Sequence, residues 1–246
     1  MFNLFKKLKP KNPPLTGYTY NLYSDMLSRP HLLIAGATGS GKSVMLNNLL
    51  HTSLFKDAYY IFLDCKGIEL IEYKDLPQTI AYADSPEASI QALALAVDMM
   101  MNRYKQMQEQ RTREYLGADV YVVIDEFADL MTTRKRDTVP LVQRLCQLGR
   151  ATKIHVILCT QTVKAEILPT LIKCNFPYRV ALRTASRHDS RMIIEQPGAE
   201  LLPDPLTEHR AEMIYLKGSL LEKYNVPTYP DNERQRVLYY HLRYSA

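Results

Sequence analysis

The sequence predicts an α/β domain with a doubly wound, mostly parallel sheet and helices on both faces. Short apolar runs alternate with helix-like segments along most of the chain, an order typical of βαβ units. The apolar runs are continuous instead of alternating with polar residues, as expected for parallel strands buried on both faces. With 246 residues, 46% of them hydrophobic, the chain is long enough for one such domain with a sizeable core.

Six strands and three helices follow from the pattern. The strands are predicted at 31–35, 58–64, 121–125, 154–160, 178–182 and 212–216. The helices are predicted at about 41–51, 86–113 and 139–149. The long middle helix has the clearest start, because Asp84 or Ser85 can cap it and Pro86 suits its first turn.

The first part of the chain differs from the rest. We expect residues 1–29 to form a basic leader, in which several prolines disfavour a long helix, and residues 30–246 to form the domain. No segment reaches the roughly 20 apolar residues that a membrane-spanning helix needs, so we expect no integral membrane segment. The four cysteines lack metal-ligand spacing and suit a reducing compartment, which favours a cytoplasmic protein.

A glycine-rich turn follows the first predicted strand and fits the pattern G-x-x-x-x-G-K-S. An apolar strand before it and a helix-forming segment after it distinguish a phosphate-binding P-loop from a chance match. We expect Lys42 to contact the β- and γ-phosphates of a nucleotide and Ser43 to bind Mg²⁺. The predicted nucleotide-binding residues are Gly36, Ala37, Thr38, Gly39, Ser40, Gly41, Lys42, Ser43 and Val44.

Two adjacent carboxylates end the strand predicted at 121–125. Asp125 is placed to hold Mg²⁺ beside the P-loop, and Glu126 to orient and deprotonate the attacking water. Residues 64–67 read D-x-x-G, as in GTPases, but the chain has no N-K-x-D motif for guanine. We therefore expect the nucleotide to be ATP. Gln161, at the end of the strand 154–160, can hydrogen-bond the γ-phosphate, although strands often end in polar residues.

Five segments in order resemble the FtsK/SpoIIIE family of DNA translocases within the FtsK/HerA superfamily. They are 30–47, 63–70, 122–131, 149–161 and 186–202. The resemblance implies a RecA-like P-loop NTPase that hydrolyses ATP with Mg²⁺, with Gln161 as the γ-phosphate sensor. The family's T-Q-R-P becomes T-Q-T-V here, and only about 29 residues precede the core. A compact relative from a mobile element, plasmid or phage is therefore expected.

The resemblance also implies partners. Related ATPases form homo-oligomeric rings, usually hexamers, in which a neighbour's arginine stabilises charge on the γ-phosphate. Arg191 is the first candidate for this role and Arg150 the second, among a set that also holds Arg179, Arg183 and Arg187.

Double-stranded DNA is the expected substrate of the ring. The net charge of +5 permits such a partner without demonstrating it. The segment 132–136 follows the catalytic strand, and we expect it to be a loop in which Arg134, Lys135 and Arg136 contact DNA phosphates. The alternative is a protein-secretion ATPase of the type VII kind, whose core is similar.

Overall fold

An eight-stranded sheet forms the centre of the computed structural model, which describes residues 18–54 and 57–227. The strands are β1 His31–Ala35, β2 Ala58–Leu63, β3 Thr79–Ala83, β4 Asp119–Ile124, β5 Ile154–Thr160, β6 Tyr178–Ala181, β7 Ala211–Lys217 and β8 Leu220–Val226. Their order is β3-β2-β4-β5-β1-β6-β7-β8. Pairing is parallel from β3 to β6 and antiparallel for β6–β7 and β7–β8, so the mostly parallel sheet is confirmed.

Helices cover both faces of this sheet. They are α1 Tyr18–Leu27, α2 Lys42–Ser53, α3 Pro86–Gln110, α4 Phe127–Thr133, α5 Lys135–Leu148, α6 Thr170–Lys173, α7 Arg187–Ile194 and α8 Pro205–Glu208. Helices α1 and α2 pack into one core cluster, and α3, α4 and α5 pack into the cluster on the opposite face. Within the described part of the chain, no helix is both long and apolar enough to cross a membrane.

Alternate residues of the central strands enter the two cores. In β4, Val120 and Val122 belong to the cluster with α3 to α5, whereas Tyr121 and Val123 belong to the cluster with α1 and α2. All four side chains are fully buried or nearly so. This two-sided burial explains why the strand reads as a continuous apolar run.

Several elements depart from the sequence-based prediction, among them β3, β8 and α5. β3 and β8 were not predicted, because each is a partly exposed edge strand with mixed polar and apolar residues. Helix α5, expected from residue 139, begins at Lys135 and contains Pro140 inside it. Helix α3 was predicted well: Ser85 is its N-cap and accepts a hydrogen bond from Ala88 N at 3.2 Å.

The leader predicted for residues 1–29 contains helix α1. Tyr23, Met26 and Leu27 of this helix are buried in the core shared with α2. Residues 1–17, with the prolines that disfavour a helix, lie outside the described residues. The division of the chain at residue 29 stays a prediction, and the structure adds that residues 21–27 pack with the domain.

Candidate active site

The P-loop joins β1 to the first turn of α2. Gly39 and Gly41 have φ values of 76° and 91°, a left-handed backbone that favours glycine. Gly41 is the N-cap of α2, so the positive end of that helix lies at the loop. The loop is tied to the chain beyond β6, because Ala37 N donates to Arg183 O at 2.8 Å. Backbone and helix together form the cradle that the sequence predicts.

The strand order places the ends of two strands, β5 and β4, beside this loop. β5 lies between β1 and β4, so Thr160 and Gln161 stand between the P-loop and the carboxylates that follow β4. Asp125 and Glu126 are both buried, with 6% and 8% of their surface exposed. The topology therefore assembles the predicted P-loop, carboxylates and glutamine at one edge of the sheet.

Lys42 and Glu126 form a buried ion pair. Lys42 Nζ lies 2.9 Å from Glu126 Oε2. Burial acts to lower the pKa of Lys42, but the acidic groups around it, Cys159 and then Glu126 and Asp125, raise its pKa overall. The lysine is thus held as a cation in the P-loop by the acidic groups around it.

Asp125 has a different environment from its neighbour. Burial raises the pKa of Asp125 to about 6, with Lys42 opposing this and nearby carboxylates, Glu69 and Asp64 first, adding to it. Its carboxylate has no hydrogen-bond donor among the described residues, in contrast to Glu126. A buried carboxylate without a donor suits contact with a cation.

The residues present fit a Mg²⁺ ion bound together with nucleotide. Ser43 is partly exposed, and its hydroxyl has no partner in the described parts of the chain. Those parts hold no group of three or more His, Cys, Asp or Glu that could bind a metal alone. Mg²⁺ in nucleotide sites takes one or two protein ligands and completes its shell with phosphate and water oxygens, so Ser43 and Asp125 suffice.

Gln161 contacts the P-loop directly. Thr38 Oγ1 donates a hydrogen bond to Gln161 Oε1 at 2.7 Å, and both side chains are exposed. A cavity of about 200 Å³ opens here between the P-loop, the chain after β5 and the start of α7. Its lining includes Gly36, Gln161 and Asp189. The glutamine predicted as a γ-phosphate sensor is therefore beside the phosphate loop.

Asp64, in the segment that imitates a GTPase motif, has a structural role. It is fully buried and accepts hydrogen bonds from Gly67 N at 3.0 Å and from Leu70 N at 2.9 Å. Tyr82 also donates to it at 3.0 Å. The carboxylate shapes the turn after β2, as the rejection of the GTPase interpretation implies.

Comparison with known proteins establishes the family. The FtsK/SpoIIIE family model matches residues 14–120 and 116–165. A protein of Clostridium acetobutylicum named DNA translocase FtsK is 36% identical over 198 residues, covering 73% of this chain. This chain belongs to the FtsK/SpoIIIE family.

Other relatives and structures agree with this assignment. A DNA translocase FtsK of Haemophilus influenzae is 34% identical over 233 residues. The chain spans 26% of the Clostridium relative and 43% of the Haemophilus one. The pCW3 conjugation coupling protein TcpA, solved with ATPγS, superposes with a TM-score of 0.72 at 26% identity, covering 87% of this chain and 66% of that one. The type VII secretion ATPase EccC of Thermomonospora curvata has a TM-score of 0.71 at 21% identity, covering 86% and 28%, and shares the fold.

The five candidate arginines of this FtsK/SpoIIIE chain fall into two groups, those with an acidic partner in the chain and those with no partner among the described residues. Arg179 is buried, with Glu195 at 2.9 Å, while Arg183 pairs with Asp204 at 3.2 Å and Arg187 with Glu200 at 3.5 Å. Arg191 on α7 and Arg150 after α5 are exposed, and neither side chain has a partner among the described residues. These two are the candidates that the sequence analysis ranks first, and they can reach another molecule.

The segment predicted as a DNA-contacting loop is not a loop. Its threonines end α4, Arg134 is the junction, and Lys135 starts α5. Arg134 Nε donates to Glu87 Oε1 at 3.2 Å, and Lys135 Nζ donates to Glu166 O at 3.0 Å. The hydroxyls of Thr132 and Thr133 donate to backbone carbonyls one turn earlier at the end of α4. The sequence does not reveal these hydrogen bonds. Of the three predicted cations, Arg136 alone has no partner within the described residues.

Thr160 is the site residue whose role the sequence did not reveal. Its hydroxyl lies 3.0 Å from Glu126 Oε1, and its side chain is fully buried. Its place at the end of β5, beside the predicted glutamine, was visible in the sequence. Its contact with Glu126 depends on the order of strands that are distant in sequence.

Proposed function

We propose that this chain is the motor domain of an ATP-driven, double-stranded DNA translocase that works as a ring of identical subunits. The observation that carries the proposal is the buried Lys42–Glu126 pair beside Asp125 and Gln161, in a chain of the FtsK/SpoIIIE family. Relatives named DNA translocase and the structural neighbour named conjugation coupling protein support DNA as the substrate.

Each residue of the site has a defined part in hydrolysis. The P-loop backbone and Lys42 bind and orient the phosphates, and Ser43 and Asp125 hold Mg²⁺, which when bound neutralises charge on the phosphate oxygens. Glu126 accepts a proton from the attacking water, and Gln161 contacts the γ-phosphate. Arg191 or Arg150 of a neighbouring subunit supplies positive charge to the same group.

DNA contact is assigned to the cations at the α4–α5 junction, with Arg136 in the most accessible position. Arg134 and Lys135 belong to the same surface, but contact with DNA requires that they exchange their partners Glu87 and Glu166 for phosphate. The junction directly follows the strand that carries Asp125 and Glu126, so movement at the carboxylates can be transmitted to DNA through the short helix α4.

The test is ATP turnover as a function of duplex length and salt concentration. We expect duplex DNA of any sequence to stimulate turnover, and stimulation to fall steeply with salt because phosphate contacts release counterions. Replacing Arg136 with alanine should weaken DNA binding and reduce the slope of log K against log salt by about one. Its matched control is Arg113→Ala, an exposed arginine after α3 without a partner in the described ranges.

Two outcomes would contradict the proposal in different ways. If wild-type turnover does not respond to any duplex, DNA is not the substrate and a secretion ATPase acting on protein becomes the better explanation. If DNA stimulates the wild type and the Arg134, Lys135 and Arg136 triple alanine variant equally, the motor assignment stands and the junction is not its DNA contact.

A further inference from the structure

The Glu126 carboxylate is surrounded by donors. Oε1 accepts from Thr160 Oγ1 at 3.0 Å and from Ala128 N at 3.3 Å, and Oε2 accepts from Lys42 Nζ at 2.9 Å. Gln161 N lies 3.2 Å from both oxygens. With 8% of its surface exposed, the carboxylate in this position is engaged by protein groups on both oxygens. A general base in this position has little room to take a proton from water.

The Thr160 hydroxyl has two acceptors for its one proton. Glu126 Oε1 and the backbone oxygen of Thr162 both lie 3.0 Å from Oγ1. Thr162 N, at 3.2 Å, donates back to the same hydroxyl. A hydroxyl carries a single O–H, so it can bond the carboxylate or the carbonyl but not both. When Glu126 moves away, the hydroxyl turns to Thr162 O and stays satisfied in the fully buried site.

We infer that Thr160 is a positioning residue that stabilises the Lys42-paired position of Glu126 and thereby opposes ATP binding until Lys42 is recruited by phosphate. The inference rests on the proposed nucleotide site. Lys42 Nζ cannot hold Glu126 at 2.9 Å and also serve the β- and γ-phosphates with its full set of donors. Binding of ATP must break or weaken the pair, which frees Glu126 to act as the base. The threonine makes this exchange reversible, because its own hydrogen bond has an alternative acceptor.

This arrangement couples ATP binding to hydrolysis. Glu126 is released only when phosphate competes for Lys42, so the base becomes available after ATP has entered. The Thr38–Gln161 hydrogen bond at 2.7 Å is a second contact of the same kind, between a P-loop side chain and a residue proposed to act on the γ-phosphate. Thr160 differs from Thr38 and Gln161 because it contacts neither nucleotide nor the attacking water in this assignment.

The experiment is a double-mutant cycle on the affinity for Mg²⁺-ATPγS, measured by calorimetry without DNA. Thr160→Val keeps the shape of the buried side chain and removes the hydroxyl, and Thr160→Ser is the matched control that keeps it. Both are made in the wild-type chain and in Glu126→Gln, in which Lys42 has lost this charged partner. Thermal unfolding reports whether each variant folds, and Thr160→Ala serves as a second replacement if valine is not accommodated.

We expect Thr160→Val to bind Mg²⁺-ATPγS about fivefold more tightly than the wild type, the difference between a hydrogen bond to a charged carboxylate and one to the Thr162 carbonyl. In the Glu126→Gln background the same substitution should change affinity by less than about twofold. Thr160→Ser should match the wild type in both backgrounds. Unchanged or weaker binding in Thr160→Val, or equal tightening in both backgrounds, overturns the inference. Because the assay contains no DNA, these results do not depend on whether DNA is the substrate.

Discussion

At the scale of single residues, two adjacent carboxylates, Asp125 and Glu126, have different surroundings. Glu126 accepts hydrogen bonds from Lys42, Thr160 and backbone N–H groups, whereas Asp125 has no donor among the described residues and a pKa raised to about 6 by burial. A carboxylate supplied with donors is held in place, and one without donors gains most from a cation. The contrast supports Asp125 as the Mg²⁺ ligand, whereas Glu126 becomes available as the proposed base when phosphate competes for Lys42.

Removal of the base should separate nucleotide binding from hydrolysis. We expect Glu126→Gln to lower kcat by about 100-fold to 10,000-fold while ATP remains bound, because the amide cannot accept the proton of water. Lys42→Ala should lose both binding and hydrolysis, since the cation on the phosphates is gone. Turnover and nucleotide retention on a filter would be measured, with Glu109→Gln on the exposed surface of α3 as the control. Wild-type turnover in Glu126→Gln would show that another group is the base.

At the scale of elements, the pairing of β1 with β5 contains a buried neutral histidine. His31 is 2% exposed, its Nδ1 accepts from Val156 N at 3.0 Å, and its ring meets Phe176 edge-on at 5.9 Å. Burial, with a smaller contribution from His155, lowers the pKa of His31 to about 3. Because Nδ1 is an acceptor here, a proton on it would remove a contact between the two strands that carry the P-loop and Thr160.

This histidine should make stability depend on pH. The unfolded chain takes up a proton near pH 6.5 and the folded chain only near pH 3, so unfolding binds a proton between these values and stability falls as the pH falls. From pH 7 to pH 5 the free energy of unfolding should fall by about 2 kcal/mol because of His31.

Denaturant unfolding at the two pH values checks this expectation. His31→Asn keeps an acceptor for Val156 N and should lose less stability than the wild type over that interval. The exposed His188→Asn should behave as the wild type. An unchanged pH dependence in His31→Asn would show that this histidine is not responsible.

The elements at the edges of the domain explain why some predictions were wrong. The segment 132–136 has the composition of a charged loop, but its threonines and Arg134 make local contacts that let one helix end and the next begin. Residues 18–27 were assigned to the leader, and the structure places Tyr23 and Met26 in the core beside α2, while the division at residue 29 stays a prediction. In both cases, the partners of the side chains decided the outcome over the composition of the segment.

At the scale of the whole molecule, the helix α7 that borders the cavity beside the P-loop carries an arginine with no ion-pair partner among the described residues. Arg191 is exposed on α7, the helix whose first turn contributes Asp189 to the cavity beside the P-loop. Its side chain has no hydrogen-bond or ion-pair partner in the described ranges of its own chain. A ring, in which one subunit completes the site of the next, would give this arginine a function.

Subunit mixing tests the ring. We expect Arg191→Ala to lower turnover by about 1,000-fold or more, and mixtures with Glu126→Gln to regain part of the activity, because Arg191 of a Glu126→Gln subunit completes the site of an Arg191→Ala neighbour. Arg187→Ala on the same helix, whose arginine is paired with Glu200, is the matched control and should keep wild-type turnover. Full activity of pure Arg191→Ala would move the role to Arg150 or another arginine.

The sequence alone determined the central strands, the long capped helix, the P-loop and the pair of carboxylates after β4, because each depends on residues that are close in the chain. The strand HLLIA and its glycine-rich turn carry their own signal, and so does the Asp125-Glu126 pair after four apolar residues. Edge strands such as β8 are harder to predict from the sequence, because the face of the strand that meets solvent does not require apolar residues.

Only the tertiary structure decided how these parts meet. The strand order inserts β5 between β1 and β4, and this brings Thr160 to Glu126 and Glu126 to Lys42 across 34 and 84 residues of chain. It also decided which arginines are held by acidic partners and which are free, because ion pairs such as Arg179–Glu195 depend on packing between elements. Local patterns reveal which chemical groups are available. Long-range packing sets which of them touch, and the control of the base by Thr160 is a property of that contact.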